Sequence, residues 1–337
     1  MKYALIDTAN TFFRARHVAA RNTDPWEKVG MAMHLTLSSV NQIVRMFNID
    51  HVVFCLEGHS WRKDFYKPYK ANRAVNNTAL TEAEIEENKM FWETYASFTT
   101  FLHEKTNASV LRYPNAEADD LIARFIALHP DDEHFIISSD SDFVQLIAAN
   151  VHQYNGVAGQ LIKLDGYYND RGKPVKDKKT GELKLLEDPE YLLFKKIIRG
   201  DATDNVFSAY PGVREKGTKN SVGIREAFDD RTKQGYHWNN FLLQRWVDHE
   251  GVEHRVKDDY ERNKTLIDLK AQPQEIKDAV DTVIKENVRI NTTPQVGVHL
   301  MKFCGKYELQ KISEQAETYS KWLNTPYKGI LKESIND

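Results

Sequence analysis

The chain has only two cysteines in 337 residues, Cys55 and Cys304. They lie far apart and show no metal-finger spacing, which excludes a disulfide framework and a structural zinc site and fits a reducing, cytoplasmic setting. Glycine (16) and proline (10) are equally sparse, so collagen-like, low-complexity and wholly disordered classes fall away. Long apolar runs are missing as well: Tyr3 to Ile6 is cut short by Asp7, and neither a signal peptide nor a membrane span is expected. Twelve histidines are scattered without a pair on one helix face beside a carboxylate, and His59 and His103 read as surface or packing residues rather than ligands. No internal repeat is visible.

What is present is an ordinary globular composition, 41% hydrophobic and 28% charged, long enough for two units or for one large α/β domain with an attached lobe. The net charge of −3 conceals its distribution. Between Ser60 and Arg73 five basic residues (Arg62, Lys63, Lys67, Lys70, Arg73) stand against Asp64, interleaved with Trp61, Phe65, Tyr66 and Tyr69. From Arg171 to Lys184 six basic residues face two acids. A basic track with aromatic residues beside a separate acidic pocket suits a polyanionic partner.

Short β-branched runs alternate with helical patterns. Strands are expected at 2–6, 51–56, 109–113, 134–138, 151–154 and 160–164, the last ones as an edge hairpin, with helices at 25–47, 81–105, 117–128 and 143–149. That alternation predicts an α/β fold with a mainly parallel central sheet flanked by helices. Residues 169–188 read as an exposed hairpin or loop. Helical signals dominate from Pro189 onward, which places a boundary near 188: a core over 1–188 and a mainly helical lobe over 189–337.

Ligands of open parallel sheets bind outside the carboxyl ends of the strands, and there the sequence is acidic. Asp7 and Glu57 follow the first two strands, Glu117, Asp119 and Asp120 open the helix after the third, and Asp140 and Asp142 follow the fourth. Asp201 and Asp204 form a further pair in GDATDN. Singly, each reads as a turn or cap residue. Together on one sheet edge, such carboxylates repel by roughly 3 kcal/mol per pair at ~6 Å and an effective dielectric of about 20. Hard divalent cations, two Mg²⁺ or Mn²⁺, take such oxygen-only ligands, activate water and stabilise the leaving oxygen in phosphodiester hydrolysis.

Six ordered elements carry a resemblance: LIDTAN with Arg14 seven residues beyond Asp7, WR at 61–62 leading to PYKANR at 68–73, EADD at 117–120, SSDSDF at 138–143, GDATDN at 200–205 and NKTLIDL at 263–269. The chain resembles the 5′-nuclease family of flap endonucleases and 5′→3′ exonucleases, with a PIN-like core, particularly the stand-alone bacteriophage type called phage RNase H. The resemblance implies a helical arch over about 60–105. It makes Asp7, Glu57, Glu117 and Asp119 ligands of one metal region and Asp120, Asp140, Asp142, Asp201 and Asp204 companions nearer a second ion. It implies that Tyr69 stacks on a nucleobase, that Lys70 and Arg73 act on the scissile phosphate from one helix face, and that Arg14 and Arg62 hold neighbouring phosphates. Family members grip duplex DNA through a helix-hairpin-helix element, often with a monovalent cation. Here 206–228 is its divergent counterpart, with contacts expected from Arg214, Lys216, Lys219 and the backbone of Gly217, and with a monovalent cation as a further ligand. Glu57 stands where the family usually has Asp, and the Lys-rich 171–184 insertion reads either as an extension of the duplex-binding surface or, the slightly favoured reading, as a hairpin kept soluble by its charge.

The activity implied is metal-dependent 5′→3′ exonuclease and 5′ flap endonuclease cleavage, removing RNA primers or displaced strands during phage or bacterial replication, with any polymerase supplied in trans. The partners implied are DNA with 5′ ends, flaps or nicks and RNA–DNA hybrids, with a single-strand-binding protein or sliding clamp beyond them. A monomer is expected, with no membrane. The rivals are a nucleic-acid-binding scaffold with a degraded metal site, and a small-molecule phosphatase using an Asp nucleophile in the Asp140–Asp142 pair.

Overall fold

The computed structural model describes residues 1–18, 24–73, 81–288 and 292–331. Two compact units divide them: residues 1–59, 80–186 and 274–337 form the first, and 60–79 with 187–273 the second. This differs from a single boundary near 188. The segment 60–79 groups with 187–273, and the chain from 274 onward returns to the first unit.

The first unit is built on a seven-stranded sheet of order β3-β2-β1-β4-β5-β6-β7. Its parallel strands are β1 (Lys2–Asp7), β2 (His51–Cys55), β3 (Ser109–Leu111), β4 (Glu133–Ile137) and β5 (Val151–Asn155). Strands β6 (Gln160–Lys163) and β7 (Gly166–Asn169) add an antiparallel edge; β7 is absent from the expected strands and ends where the expected hairpin or loop begins, at Asn169. Tyr3, Ala4, Leu5 and Ile6 are all fully buried. A strand covered on both faces needs such an unbroken apolar run. Ile6 pairs with Phe54 on one side and Ile137 on the other, so the carboxyl ends of β2, β1 and β4 lie in one row.

Helices cover the sheet where the pattern predicts them. Helix α1 (Thr8–Val18) leaves β1 directly. Helix α2 (Pro25–Phe47) starts where the Asp24 carboxylate accepts the Trp26 amide at 2.8 Å and stops at Asn48 in the left-handed conformation. Its buried stripe runs through Val29, Met33, Leu37 and Val40. After the short α3 (Arg62–Phe65), helix α4 (Glu82–Lys105) opens with a Thr81–Glu84 capping box. Helix α5 (Ala118–Leu128) follows β3, and the expected helix at 143–149 is a 3-10 turn over Ser141–Leu146. The expected arch crest at 74–80 lies outside the described residues.

In the second unit, α6 (Pro189–Arg199), α7 (Ile224–Asp230), α8 (Tyr236–Leu242) and α9 (Val256–Ile267) enclose Tyr191, Phe194, Ile198, Phe228 and Phe241. A small hairpin, β8 (Arg245–Val247) and β9 (Glu253–Arg255), interrupts the helices expected there.

Back in the first unit, α10 (Gln274–Asn287) is clamped to α5 by a bidentate pair: Arg124 Nε and Nη2 reach the Asp281 carboxylate at 2.7 and 2.6 Å. Helices α11 (Val296–Lys306), α12 (Gln310–Ser313) and α13 (Ala316–Leu323) complete the core over the sheet, with Phe303 stacked on Phe101 at 4.2 Å and Trp322 donating to Asn41. Tyr319, Trp322 and Leu323, which fall in the helical lobe expected over 189–337, therefore pack in the core of the sheet instead. The apolar period of these helices shows that they bury a face, and only the tertiary structure chooses which surface covers it.

A buried histidine cluster fixes the same segment. His51 bonds the Thr325 carbonyl at 3.1 Å and Ser109 Oγ at 2.8 Å, His129 bonds Phe125 O and Tyr327 Oη, and His134 reaches His129 O. Burial lowers His51 and His134 to about 4. Both are neutral when folded and titrate near 6.5 when unfolded, so between about pH 6.5 and pH 4 the unfolded chain binds more protons and stability falls with pH. The loss expected is of order 3 kcal/mol per histidine by pH 4, with little further loss from them below it. Urea unfolding at pH 7.5, 5.5 and 4.5 checks this, and His51→Gln should flatten the dependence.

Candidate metal centre and phosphate-binding residues

At the carboxyl ends of the parallel strands, backbone and side chains fix each carboxylate in turn. Asp7 ends β1 and is buried; its Oδ2 accepts from Ser138 Oγ at 2.9 Å and its Oδ1 from the Asn10 amide at 3.2 Å, tying the ends of β1 and β4 together. Glu57 lies just beyond β2, and its Oε2 accepts the Ala118 amide at 3.2 Å, at the head of α5. Gly58 makes that approach feasible: its amide donates to Ala116 O at 2.9 Å, and a Cβ there would meet Tyr113 O at 2.2 Å and Ala116 O at 2.6 Å. The glutamate side chain at 57 thus reaches the head of the EADD helix.

Glu117, Asp119 and Asp120 sit at the start of α5, and oxygens of all three lie within 4.8 Å of one another. Glu117 and Asp120 are buried, and Asp120 Oδ2 also accepts the Glu117 amide. The macrodipole favours negative charge here, but it offsets only part of a like-charge repulsion of about 3 kcal/mol per pair at this spacing. An oxygen-only, mutually repelling set of this kind fits a hard divalent cation. The charges of Asp7 and Glu57 reach the core beneath, where burial first and these carboxylates second push the Cys55 thiol and the Tyr95 hydroxyl up.

Asp140 and Asp142 open the 3-10 turn. Asp140 is exposed, its amide donates to Ser138 Oγ at 3.0 Å, and its Oδ1 accepts the Asp142 amide at 3.0 Å. Gln153 donates to the carbonyls of Ser138 and Asp140. Asp140 is thus the turn residue that its position suggests and is also presented at the sheet edge. Ser138, Asn10 and Gln153, which orient these groups, went unnoticed in the sequence; Asn10 and Ser138 stand inside LIDTAN and SSDSDF.

The second unit holds Asp201 and Asp204. Gly200 precedes them at φ +74°, where a Cβ would meet Val206 O at 2.3 Å, so only glycine allows this tight reversal. Asp201 pairs with Lys196 at 2.7 Å; burial opposes its charge, but Lys196 and the amides of Thr203 and Asp204 outweigh burial and hold it below the usual carboxylate range. Asp204 accepts from Arg73 at 2.8 Å and Tyr69 Oη at 3.2 Å, with Lys70 Nζ at 3.6 Å.

Three expectations change at this point. Lys70 is left-handed, φ +54°, with its amide on Asp204 O, so Lys70 and Arg73 meet through a shared carboxylate rather than along one helix face. The Tyr69 ring is 4% exposed among Ile197, Val206, Leu266 and Ile267, which leaves no open face for a base. Arg62, expected on a phosphate, is 1% exposed and donates to Leu266 O at 2.9 Å; it closes this core rather than meeting a strand. Arg14 is exposed, as a phosphate contact requires.

In the 206–228 segment, Arg214, Lys216 and Lys219 are exposed. The Gly217 amide, expected on a phosphate, instead donates to Glu226 Oε2 at 2.9 Å, as does the amide of Gly223. Both amides are thereby satisfied by a carboxylate of the chain itself.

Comparison with known proteins shows the family and agrees with the fold. The 5′-3′ exonuclease N-terminal resolvase-like domain family matches residues 2–173. A 5′-3′ exonuclease of Mycoplasmopsis pulmonis is 25% identical over 223 residues, 65% of each chain. Flap endonuclease Xni of Aeromonas hydrophila is 29% identical over 153 residues, 44% of this chain and 52% of that one. The chain thus spans less than two thirds of the length of either relative. Among solved structures, the T5 5′-exonuclease with bound zinc ions superposes with a TM-score of 0.56 at 18% identity, covering 85% of this chain and 99% of that one. That likeness is one of fold.

Proposed function

The chain belongs to the 5′-3′ exonuclease family, and on that premise we propose that it is a divalent-metal-dependent nuclease that hydrolyses phosphodiester bonds at 5′ ends and flaps of DNA, and in RNA primers paired to DNA. The observation that carries the reading is the set of Glu117, Asp119 and Asp120 oxygens within 4.8 Å of one another at a helix start, beside Glu57. The T5 flap endonuclease, similar in fold, has been solved in a complex with DNA and metal ions.

The carboxylates that would hold the ions are Glu117, Asp119 and Asp120, with Asp7, Glu57, Asp140 and Asp142 along the same row of strand ends and, by the resemblance, Asp201 and Asp204. Two Mg²⁺ or Mn²⁺ ions bound there would supply activated water and charge neutralisation at the scissile phosphate. The chain's part is preorganisation: Ser138 orients Asp7, the Ala118 amide orients Glu57, and the Glu117 amide holds Asp120. Lys70 and Arg73, released from Asp204, donate to phosphate oxygens as charge develops. The product ends are a 5′-phosphate and a 3′-hydroxyl. The reading includes monomeric action in the cytoplasm, with a single-strand-binding protein or sliding clamp as replication partners.

Duplex contacts fall to Arg214, Lys216 and Lys219 by charge, since Glu226 engages the Gly217 amide. Neutralising all three should lower the slope of log K against log salt by about 2 to 3. Fluorescence anisotropy on a nicked duplex from 50 to 200 mM salt measures it, and an unchanged slope places them off the DNA path.

A further inference from the structure

Beside Asp7, on the side of β4, lies a cleft of about 190 Å³ lined by Asn10, Thr11, Arg14, Leu35, Ser39, Ile137, Ser138, Ser139, Gly156 and Val157. Its place in the fold is informative. Strands β2 and β3 lie to one side of β1 and β4 to β7 to the other, so the strand order reverses between β1 and β4. Open α/β sheets bind ligands at the carboxyl edge of that switch point. The metal-ligand candidates Glu57 and Glu117 belong to the β2–β3 side, whereas Asp7, Asp140 and Asp142 lie at the carboxyl ends of the two strands that flank the cleft and Ser138 of its lining bonds Asp7, so the cleft adjoins the row of carboxylates.

Its walls have two characters. Leu35 and Val157 are apolar, while Asn10, Ser39 and Ser139 carry hydrogen-bonding groups. The Ser139 amide and hydroxyl both meet Asn10 Oδ1, at 3.2 and 2.7 Å. A backbone N–H only donates, so the atom it meets is the oxygen, and Asn10 keeps its NH2 group as a pair of fixed donors. Gly156 closes one end: a Cβ there would lie 2.6 Å from Ser39 Oγ, so that wall is backbone packed against helix α2. Arg14, exposed on the cleft lining, supplies positive charge. The volume is below the roughly 300 to 1,000 Å³ of clefts that hold drug-sized ligands, so one flat heterocycle fits and a dinucleotide does not.

We propose that this cleft is a nucleobase subsite: it takes the base of a single nucleotide between Leu35 and Val157, with Asn10 donating to the base edge and Arg14 meeting its phosphate. The inference rests on the nuclease reading for its biological ligand, either the terminal nucleotide of a cleaved strand or the mononucleotide released from it. The base-binding chemistry is common to both.

The test uses the whole chain and dGMP as probe, with inorganic phosphate as control, in saturation titrations followed by amide chemical shifts. Saturable dGMP binding with shifts at Asn10, Ser139 and Gly156 is expected. Ser39→Leu, which fills the cleft, and Val157→Gly, which removes a wall, should each weaken dGMP about ten-fold or more while leaving phosphate binding unchanged. Failure of dGMP to saturate, or equal affinity in the wild type and both variants, overturns the subsite. A second arm compares cleavage of a flap substrate with an abasic substrate lacking the terminal base. If the strand's base occupies the cleft, Ser39→Leu lowers kcat/KM for the intact substrate alone; if only released product does, Ser39→Leu relieves product inhibition and leaves both rates equal to wild type. A wild type that binds dGMP at the cleft yet cleaves neither substrate keeps the subsite and rejects the nuclease reading.

Discussion

Asp119→Asn should reduce metal-dependent cleavage by about 10³-fold or more while leaving DNA affinity within a few-fold of wild type. The same substitution should raise thermal stability in chelator. Oxygens of Glu117, Asp119 and Asp120 lie within 4.8 Å of one another, so removing one charge relieves repulsion that the helix dipole only partly offsets. The gain expected is about 1 to 3 kcal/mol, and added Mn²⁺ should stabilise the wild type more than the variant. This pairing of lost activity with gained stability separates a metal ligand from a carboxylate kept for the fold. Asp120→Asn serves as the contrast, because Asp120 Oδ2 also accepts the Glu117 amide and an asparagine oxygen can still do so. Asp119→Asn that retains activity, or that loses stability in chelator, contradicts the assignment.

Removing Lys70 is expected to have the second largest effect. Lys70→Ala should lower kcat by about 10² to 10³ with KM changed only a few-fold, since a cation that engages charge developing at the phosphate acts mainly in the transition state. The structure adds a constraint that the sequence lacked. Lys70 and Arg73 both pair with Asp204, at 3.6 and 2.8 Å, so a phosphate must compete with that carboxylate for them. Asp204→Asn should therefore free both cations and tighten binding of a 5′-phosphorylated strand in chelator, even as it impairs turnover. Single-turnover kinetics on a 5′ flap, with anisotropy in Ca²⁺, measure both effects. A Lys70→Ala defect confined to KM would remove its proposed part in the chemistry.

The sheet and its acidic edge were legible because parallel strands buried on both faces demand unbroken apolar runs, and the residue after each run must turn at the edge where ligands bind. Tyr3 to Ile6 followed by Asp7 is the plainest instance. The basic segment 60–73 was less transparent. Its composition suggested a basic track and the resemblance implied an arch, but Arg62 and Tyr69 are buried in the second unit's core, and Lys70 takes a left-handed backbone that no periodicity argument foresees. Charge and aromatic content alone cannot distinguish a stacking platform from a packed corner. The return of 274–331 to the first unit was equally hidden, because it depends on remote partners such as Arg124 with Asp281 and Trp322 with Asn41. Glu57 shows the reverse case: a departure from the family's usual Asp became intelligible once Gly58 was seen to bring it against the Ala118 amide.

The central claim is tested most directly by incubating the protein with a 5′-labelled flap and a matched nicked duplex in Mg²⁺, Mn²⁺, Ca²⁺ and chelator, with Asp140→Ala alongside. The account predicts short 5′-labelled products in Mg²⁺ or Mn²⁺ from the wild type, and none in Ca²⁺, in chelator or from the variant. Tight DNA binding with no cleavage in either Mg²⁺ or Mn²⁺ would contradict it and make the chain a nucleic-acid-binding scaffold of the same fold.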